Sequence, residues 1–409
     1  MNALALRVFS ALGFAVLLAT AWALSSDRRA VDLRTVRNGV ALQLALAAGL
    51  LATPLGPRFF ALVEAPVALL IDASQAGARF VFGPLLDVGQ SFALGVLPII
   101  VVVGSLFGTL YFLGWIQPVV SLFARIVARL LNVSGAEALA AVANVFVGMT
   151  EAGLVVRPYL ARMTRSELFS FMTVGMSTIA GSVLVAYSMI LGTGYAGHLV
   201  VASLLSAPAA LVVAKLMVPE TEVPATRAGA RLVEPPTAHN LVDAAAEGGL
   251  VGLRLALNIG ALLIAFVALV ALANRLIGAV GALVGAPDVT LASVLGLLLA
   301  PVALLMGVPW SEAPAIGGLI GIKTIVNEFI AYQELAALVE AGSVSARSAV
   351  IATYALCGFA NFGSLAILLG GIEGIAPERR AEAAGLGIRS IVAGTLTTCL
   401  TGCLAGLFA

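Results

Sequence analysis

The sequence predicts an all-α membrane protein in which eight transmembrane helices, two re-entrant helical hairpins and interfacial helices are arranged as an inverted repeat. Three observations carry that expectation. Of 409 residues, 61% are hydrophobic and only 11% charged, whereas a soluble domain carries about 25% charged residues. Apolar runs recur at the length of a membrane span, about 20 residues. The polar and acidic residues inside the apolar region fall in two short segments of like order.

Composition also excludes several classes. A mean hydropathy of +1.09 leaves too few charges to cover a water-facing surface. A net charge of +1 shows none of the basic excess of a nucleic-acid binder, so no nucleic-acid partner is expected. The partner implied by bulk composition is the lipid bilayer. Cys357, Cys399 and Cys403 lie inside apolar runs with no metal-ligand spacing, and read as small core residues. His198 and His239 stand isolated at segment ends, where they read as interfacial or loop polarity.

Spans are expected at 8–24, 39–53, 91–115, 167–191, 197–218, 250–273, 345–371 and 386–408. The first has Arg28, Arg29, Arg34 and Arg37 after it and only Arg7 before it, the reverse of a signal peptide, so it reads as a retained span. The stretches 58–82, 118–132, 138–160, 288–308 and 312–337 are interrupted by Gly, Pro or charge, and read as interfacial helices or re-entrant hairpins. With both termini outside, this alternation puts most of the 22 Lys and Arg, among them Arg125, Arg129, Lys215, Arg227, Arg231 and Arg254, on the inner side. The segment from Pro219 to Gly249, with Pro224, Pro235 and Pro236, reads as a cytoplasmic linker between two halves.

The resulting organisation has two spans and an interfacial helix in 1–90, and a scaffold span with an interfacial helix in 91–130. A first transport repeat occupies 131–218, a linker and scaffold span 219–275, and a second repeat 276–409.

The two polar segments carry the chemistry. In the first, Asn144, Gly148, Thr150 and Glu151 follow a capping box, Ser134 to Glu137, and precede another, Thr164 to Glu167. A helix started and stopped twice in so short a stretch is a hairpin. The second holds Gly321, Lys323, Asn327 and Glu328; Lys323 and Glu328 are five apart, so direct contact between them needs a kink. Past each hairpin comes a Gly-containing polar break, Ser177 to Ser182 and Cys357 to Ser364, suited to local unwinding that frees backbone groups for a ligand or ion. Glu151 precedes Ser182 by 31 residues and Glu328 precedes Asn361 by 33. Two like modules separated by one crossing at 250–273 face opposite ways, the plan of an inverted-repeat transporter with its substrate near the bilayer midplane.

Each glycine, Ser182 and Ser364 is also accounted for by close helix packing, and Asn144, Thr150 and Asn327 by interhelical hydrogen bonds. Glu151 and Glu328 are not: an acid within the membrane marks a functional site.

At these residues the chain resembles the concentrative nucleoside transporter family, which includes bacterial nucleoside permeases. The run Gly321, Lys323, Asn327, Glu328, Phe329, Ala331, Tyr332 matches the family signature. It is supported by Gly148 to Glu151, Arg157 to Tyr159, Thr164 to Leu168, Thr178 to Ser182 and Cys357 to Phe362, from about residue 92 onward. The resemblance implies a homotrimeric, multi-pass carrier of the bacterial inner membrane, not an enzyme, that imports nucleosides by an elevator-like motion. Glu328, Asn361 and Ser364 would then bind ribose hydroxyls, and Thr150 and Glu151, with Gly148 and Met149, would face the base. Asn144, Ser182 and the carbonyls of Val147 and Val183 would hold sodium, with Lys323, Asn327 and Phe359 in support. No cofactor is implied; the coupling ion is sodium, with proton coupling through Glu328 or Glu151 as the alternative. Met149 stands where the family commonly has glutamine, and a thioether lacks the paired donor and acceptor of an amide, which leaves room for another hydroxylated, nitrogen-bearing solute. A membrane-embedded hydrolase using Glu151 and Glu328 as acid and base is the reading from a different class.

Overall fold

A computed structural model describes residues 2–87, 92–227, 229–230, 238–283 and 285–408, and all regular structure among them is helical. Arg231, Pro235 and Pro236 of the expected linker lie outside the described residues.

The chain opens with α1 (Ala3–Ala23), α2 (Leu33–Leu51) and α3 (Leu55–Phe82). The side chain of Asn2 accepts from the Ala5 amide and that of Asp32 from Arg34, satisfying donors that a helix start leaves open. Helix α3 is continuous through Pro66, where the sequence suggests interruption. Its buried stripe of Val67, Ile71, Ser74 and Ala78 keeps helical spacing, and Arg58 and Asp72 point away from it.

The short α4 (Phe92–Gly95) leads into α5 (Leu97–Phe112), followed by the amphipathic α6 (Ile116–Leu131). Helix α5 pairs with α13 (Leu241–Ala282) along glycines. A Cβ on Gly104 would lie 2.7 Å from the Gly248 carbonyl, and one on Gly252 2.5 Å from that of Ile100, so only glycine permits this approach. Helix α13 starts at the Asn240 cap, earlier than the sequence suggests, because Asn240 accepts from Asp243 N and an alanine-rich first turn follows. The expected linker therefore ends at Asn240, and the span at 250–273 is the middle of a 42-residue helix.

Between this pair lies one set of elements: α7 (Gly135–Val147) and α8 (Met149–Val155), the single turn α9 (Arg157–Leu160), then α10 (Arg165–Ser177) and α11 (Gly181–Leu191), then α12 (Ala196–Met217). Both capping boxes form, Ser134 with Glu137 and Thr164 with Glu167. After α13 and α14 (Leu291–Leu305) the order recurs: α15 (Ala313–Ile325) and α16 (Glu328–Glu340), α17 (Ala346–Leu356) and α18 (Phe362–Ile375), then α19 (Arg380–Phe408). Helices α10 and α12 are buried nearly all round, and so is the second half of α19, as a helix without a polar face must be. The free cysteines 357, 399 and 403 are buried among them, as expected of small core residues.

By length and hydropathy, seven helical stretches among the described residues are able to cross a membrane. They differ from the expected spans at three places. Helix α2, with Arg34 and Arg37 in its first turns, is not among them; α3 is; and the stretch 345–371 is split into α17 and α18 by the anticipated break.

Candidate functional site

The tips of the two helix pairs and the two helix breaks converge on a cavity of about 310 Å³, within the range of small-molecule sites. Val147, Gly148, Met149, Thr150, Glu151, Ser182, Val183, Asn327, Glu328, Phe359, Asn361 and Ser364 all line it. Asn144 and Lys323 do not. A larger cavity of about 1010 Å³ opens at the ends of α6, α7 and α12, where Lys215 pairs with Glu137 at 2.6 Å and Glu220 at 3.3 Å.

The first tip turns at Gly148, whose φ of +97° strains any other residue. A Cβ there would meet the Ala180 Cβ at 2.8 Å, so the same glycine lets the hairpin tip touch the first helix break. That break, Thr178 to Ala180, is extended. The second break runs from Cys357 to Asn361 and packs on the first: a Cβ on Gly358 would lie 2.9 Å from the Ser177 carbonyl.

Glu328 is the first residue of α16, a position where the helix dipole favours a carboxylate. It is 3% exposed. Tyr187 on α11 donates its hydroxyl to Glu328 Oε1 at 2.8 Å, and Asn361 Nδ2 donates to Oε2 at 2.8 Å. The Asn361 Oδ1 accepts from the Ser364 amide at 2.7 Å as the cap of α18. Asn327 caps α16 in the same way, accepting from Ile330 N at 3.0 Å. Asn327 at the second hairpin tip and Asn361 at the second break thus each start a helix and border the cavity. Glu151, in the first turn of α8, has no partner other than its own backbone amide among the described residues.

Lys323 does not reach Glu328. It is fully buried and turns towards α17 and α19, where Nζ donates to Thr398 Oγ1 at 2.9 Å and the Ala355 carbonyl at 3.3 Å. The break between them at Val326 exists, but Lys323 lies on the far side of α15 from the cavity.

Asn144 lies behind the first tip. Its Nδ2 donates to the Val174 carbonyl at 2.9 Å and Thr178 Oγ1 at 2.5 Å, while its Oδ1 is buried with no hydrogen-bond partner among the described residues. The hydroxyl beside Asn144 is thus that of Thr178; Ser182, beyond the extended break in the first turn of α11, faces the cavity. A buried acceptor without a donor is an uncompensated cost unless something positive meets it.

Sequence reasoning missed the wall that α13 contributes, including Arg254, Asn258 and Phe266. Arg254 and Asn258, four apart in the otherwise apolar stretch 250–273, were the available signal. Tyr187 carried no comparable signal.

The fold and cavity define a polytopic membrane carrier whose solute pocket is built from broken helices. Family models for the Na+ dependent nucleoside transporter match residues 12–85 with their N-terminal part and 198–406 with their C-terminal part, and a nucleoside-recognition gate model matches 93–194. The chain belongs to the Na+-dependent nucleoside transporter family, whose members are transporters and not enzymes. It is 44% identical to an uncharacterized transporter, YutK, of Bacillus subtilis, with 97% of this chain and 98% of that one covered. It is 38% identical to the nucleoside permease NupC of Helicobacter pylori, covering 98% and 97%. It is similar to CNTnw solved in an inward-facing substrate-bound state, with TM-score 0.92, 42% identity and 98% of each chain covered. A CNTnw variant in an outward-facing state is equally similar, with TM-score 0.93, 41% identity and 98% and 97% covered.

Proposed function

We propose that the protein is a sodium-coupled symporter that imports nucleosides across a bacterial inner membrane. The observation that carries the reading is Glu328: a carboxylate fixed by Tyr187 and Asn361 at the edge of a solute-sized cavity between two helix breaks. A carboxylate is a strong acceptor for vicinal hydroxyls, and a site built to satisfy them rejects solutes that lack them. Glu328, Asn361 and Ser364 take the ribose, with Asn327 and Phe359 in support. Gly148, Met149, Thr150 and Glu151 face the base. The Oδ1 of Asn144, the carbonyl of Val147 and the neighbouring Ser182 and Val183 form the cation site, to which Thr178 adds the nearest hydroxyl. Lys323, buried away from the cavity, supports the second hairpin by tying α15 to α17 and α19.

The recurring element order supports two inverted transport repeats, 131–218 and the part of 276–409 that follows α13, moving as an elevator against a scaffold of α5 and α13. The outward faces of α13, with Leu257, Ile264 and Leu272 exposed, suit lipid or the other subunits of a homotrimer. One observation favours a second reading. Among the described residues Glu151 has no partner beyond its own backbone amide, as a proton-carrying group would before it meets substrate, so protons are the alternative coupling ion. Uptake of radiolabelled uridine and adenosine into proteoliposomes, under imposed sodium or proton gradients and with unrelated sugars as competitors, tests the proposal. Sodium-driven uptake blocked by nucleosides alone supports it; uptake blocked by sugars, or driven by neither gradient, overturns it.

A further inference from the structure

We propose that Tyr187 is a positioning residue that sets discrimination between ribose and deoxyribose, by holding the Glu328 carboxylate in the orientation that a vicinal diol requires. The inference rests on the ribose role given to Glu328 above.

Tyr187 lies near the middle of α11, the second half of the first broken helix, and is completely buried. Its bond to Glu328 Oε1 crosses from the first set of elements to the tip of the second hairpin. The terminal torsion of a glutamate is soft and roughly two-fold, so a single donor leaves the carboxylate plane free to turn. Here each oxygen has its own donor, Tyr187 on Oε1 and Asn361 on Oε2. The Asn361 amide cannot rotate, because its Oδ1 is committed to the Ser364 amide. A carboxylate oxygen has two lone-pair sites. Tyr187, Asn361 and the carboxylate's own backbone amide take three of its roughly four lone-pair sites, and the remaining one is available for a hydroxyl in the cavity.

The tyrosine is itself immobilised. Its ring packs against Phe329 and Tyr332 at centroid separations of 4.7 and 4.5 Å, and Tyr332 is tied by its hydroxyl to the Thr353 carbonyl at 2.9 Å. Packing accounts for an aromatic ring here, since phenylalanine fills the same space. It does not account for a hydroxyl placed on one oxygen of the site's carboxylate, and ring and hydroxyl are therefore separable by substitution.

The test uses the full-length protein in proteoliposomes and measures uptake of uridine, 2′-deoxyuridine and 3′-deoxyuridine by wild type, Tyr187→Phe and Tyr187→Leu, with thermal midpoints in detergent. For Tyr187→Phe the expected result is a uridine KM raised about tenfold, the size of one lost hydrogen bond to a charged group. Vmax stays near wild type, the thermal midpoint falls modestly because Glu328 Oε1 loses a buried donor, and preference for uridine over both deoxynucleosides falls towards one. Tyr187→Leu, which also removes the ring, shows the same loss of preference with lower Vmax. Two results overturn the proposal: an unchanged preference in Tyr187→Phe, or a loss of Vmax and thermal stability while the preference stays at the wild-type value. A wild-type protein that does not discriminate among the three solutes overturns the ribose role of Glu328 first, and that failure is visible before any variant is examined.

Discussion

Glu328→Gln keeps the size of the side chain and removes its charge. In the native site both carboxylate oxygens accept, from Tyr187 and from Asn361. An amide offers one acceptor and one donor group, so its oxygen keeps the Asn361 bond while its nitrogen faces Tyr187, whose hydroxyl must turn from donor to acceptor. The ribose hydroxyls lose a charged acceptor at the same time. A hydrogen bond to a charged group contributes about 1.5–3 kcal/mol, so losing the hydroxyl contact costs that much, or about 10- to 10²-fold in affinity. Folding is affected in the opposite sense, because the substitution removes a buried charge from the apolar interior. The variant is therefore expected to insert and purify as well as wild type, and to fail in uridine binding by calorimetry and in counterflow. A well-folded Glu328→Gln protein with uridine affinity within about threefold of wild type, under half the contribution of one such bond, refutes the assignment of Glu328 to the solute.

Four further outcomes follow from the same geometry. Met149→Gln restores a paired donor and acceptor at the cavity wall and is expected to raise uptake of some bases relative to others; unchanged ratios across purine and pyrimidine nucleosides would remove Met149 from base recognition. Gly148→Ala puts a side chain on a φ of +97° and against Ala180; strain of about 1–3 kcal/mol should lower the thermal midpoint and uptake together, and an unaltered protein would contradict the description of the tip. Asn144→Ala deletes the partnerless Oδ1 and should raise the sodium concentration for half-maximal uptake, whereas an identical sodium dependence would place the cation elsewhere. Lys215→Met strands Glu137, 1% exposed and 2.6 Å from the lysine, at a cost on the order of 3–5 kcal/mol; Lys215→Met with Glu137→Gln should recover much of the lost thermal stability, and no recovery would show that the pair does not act as one.

Helix breaks were legible because they are chemical as well as geometric: Gly148, Asn327 and Asn361 announce a turn or a cap whatever surrounds them. The capping boxes at Ser134 and Thr164 were equally local, and both form. Continuity through Pro66 was not, because it depends on the burial of Val67, Ile71 and Ala78 by neighbouring helices. The start of α13 was hidden for a different reason: its first turns are polar enough to read as linker, while the Asn240 cap and the alanines after it favour helix. At the site, spacing identified the acids but not their partners. Lys323 and Glu328 stand close in the chain, yet Lys323 is held by Thr398 and Ala355. Tyr187 and Glu328 are separated by 141 residues and meet because the two sets of elements interlock.

The most direct measurement is a structure of the protein with uridine bound in lipid nanodiscs. The ribose is expected in the cavity between the two breaks, with its hydroxyls within hydrogen-bond distance of Glu328 and the base towards Met149 and Thr150. Uridine seated elsewhere, with Glu328 still paired only to Tyr187 and Asn361, would contradict the assignment.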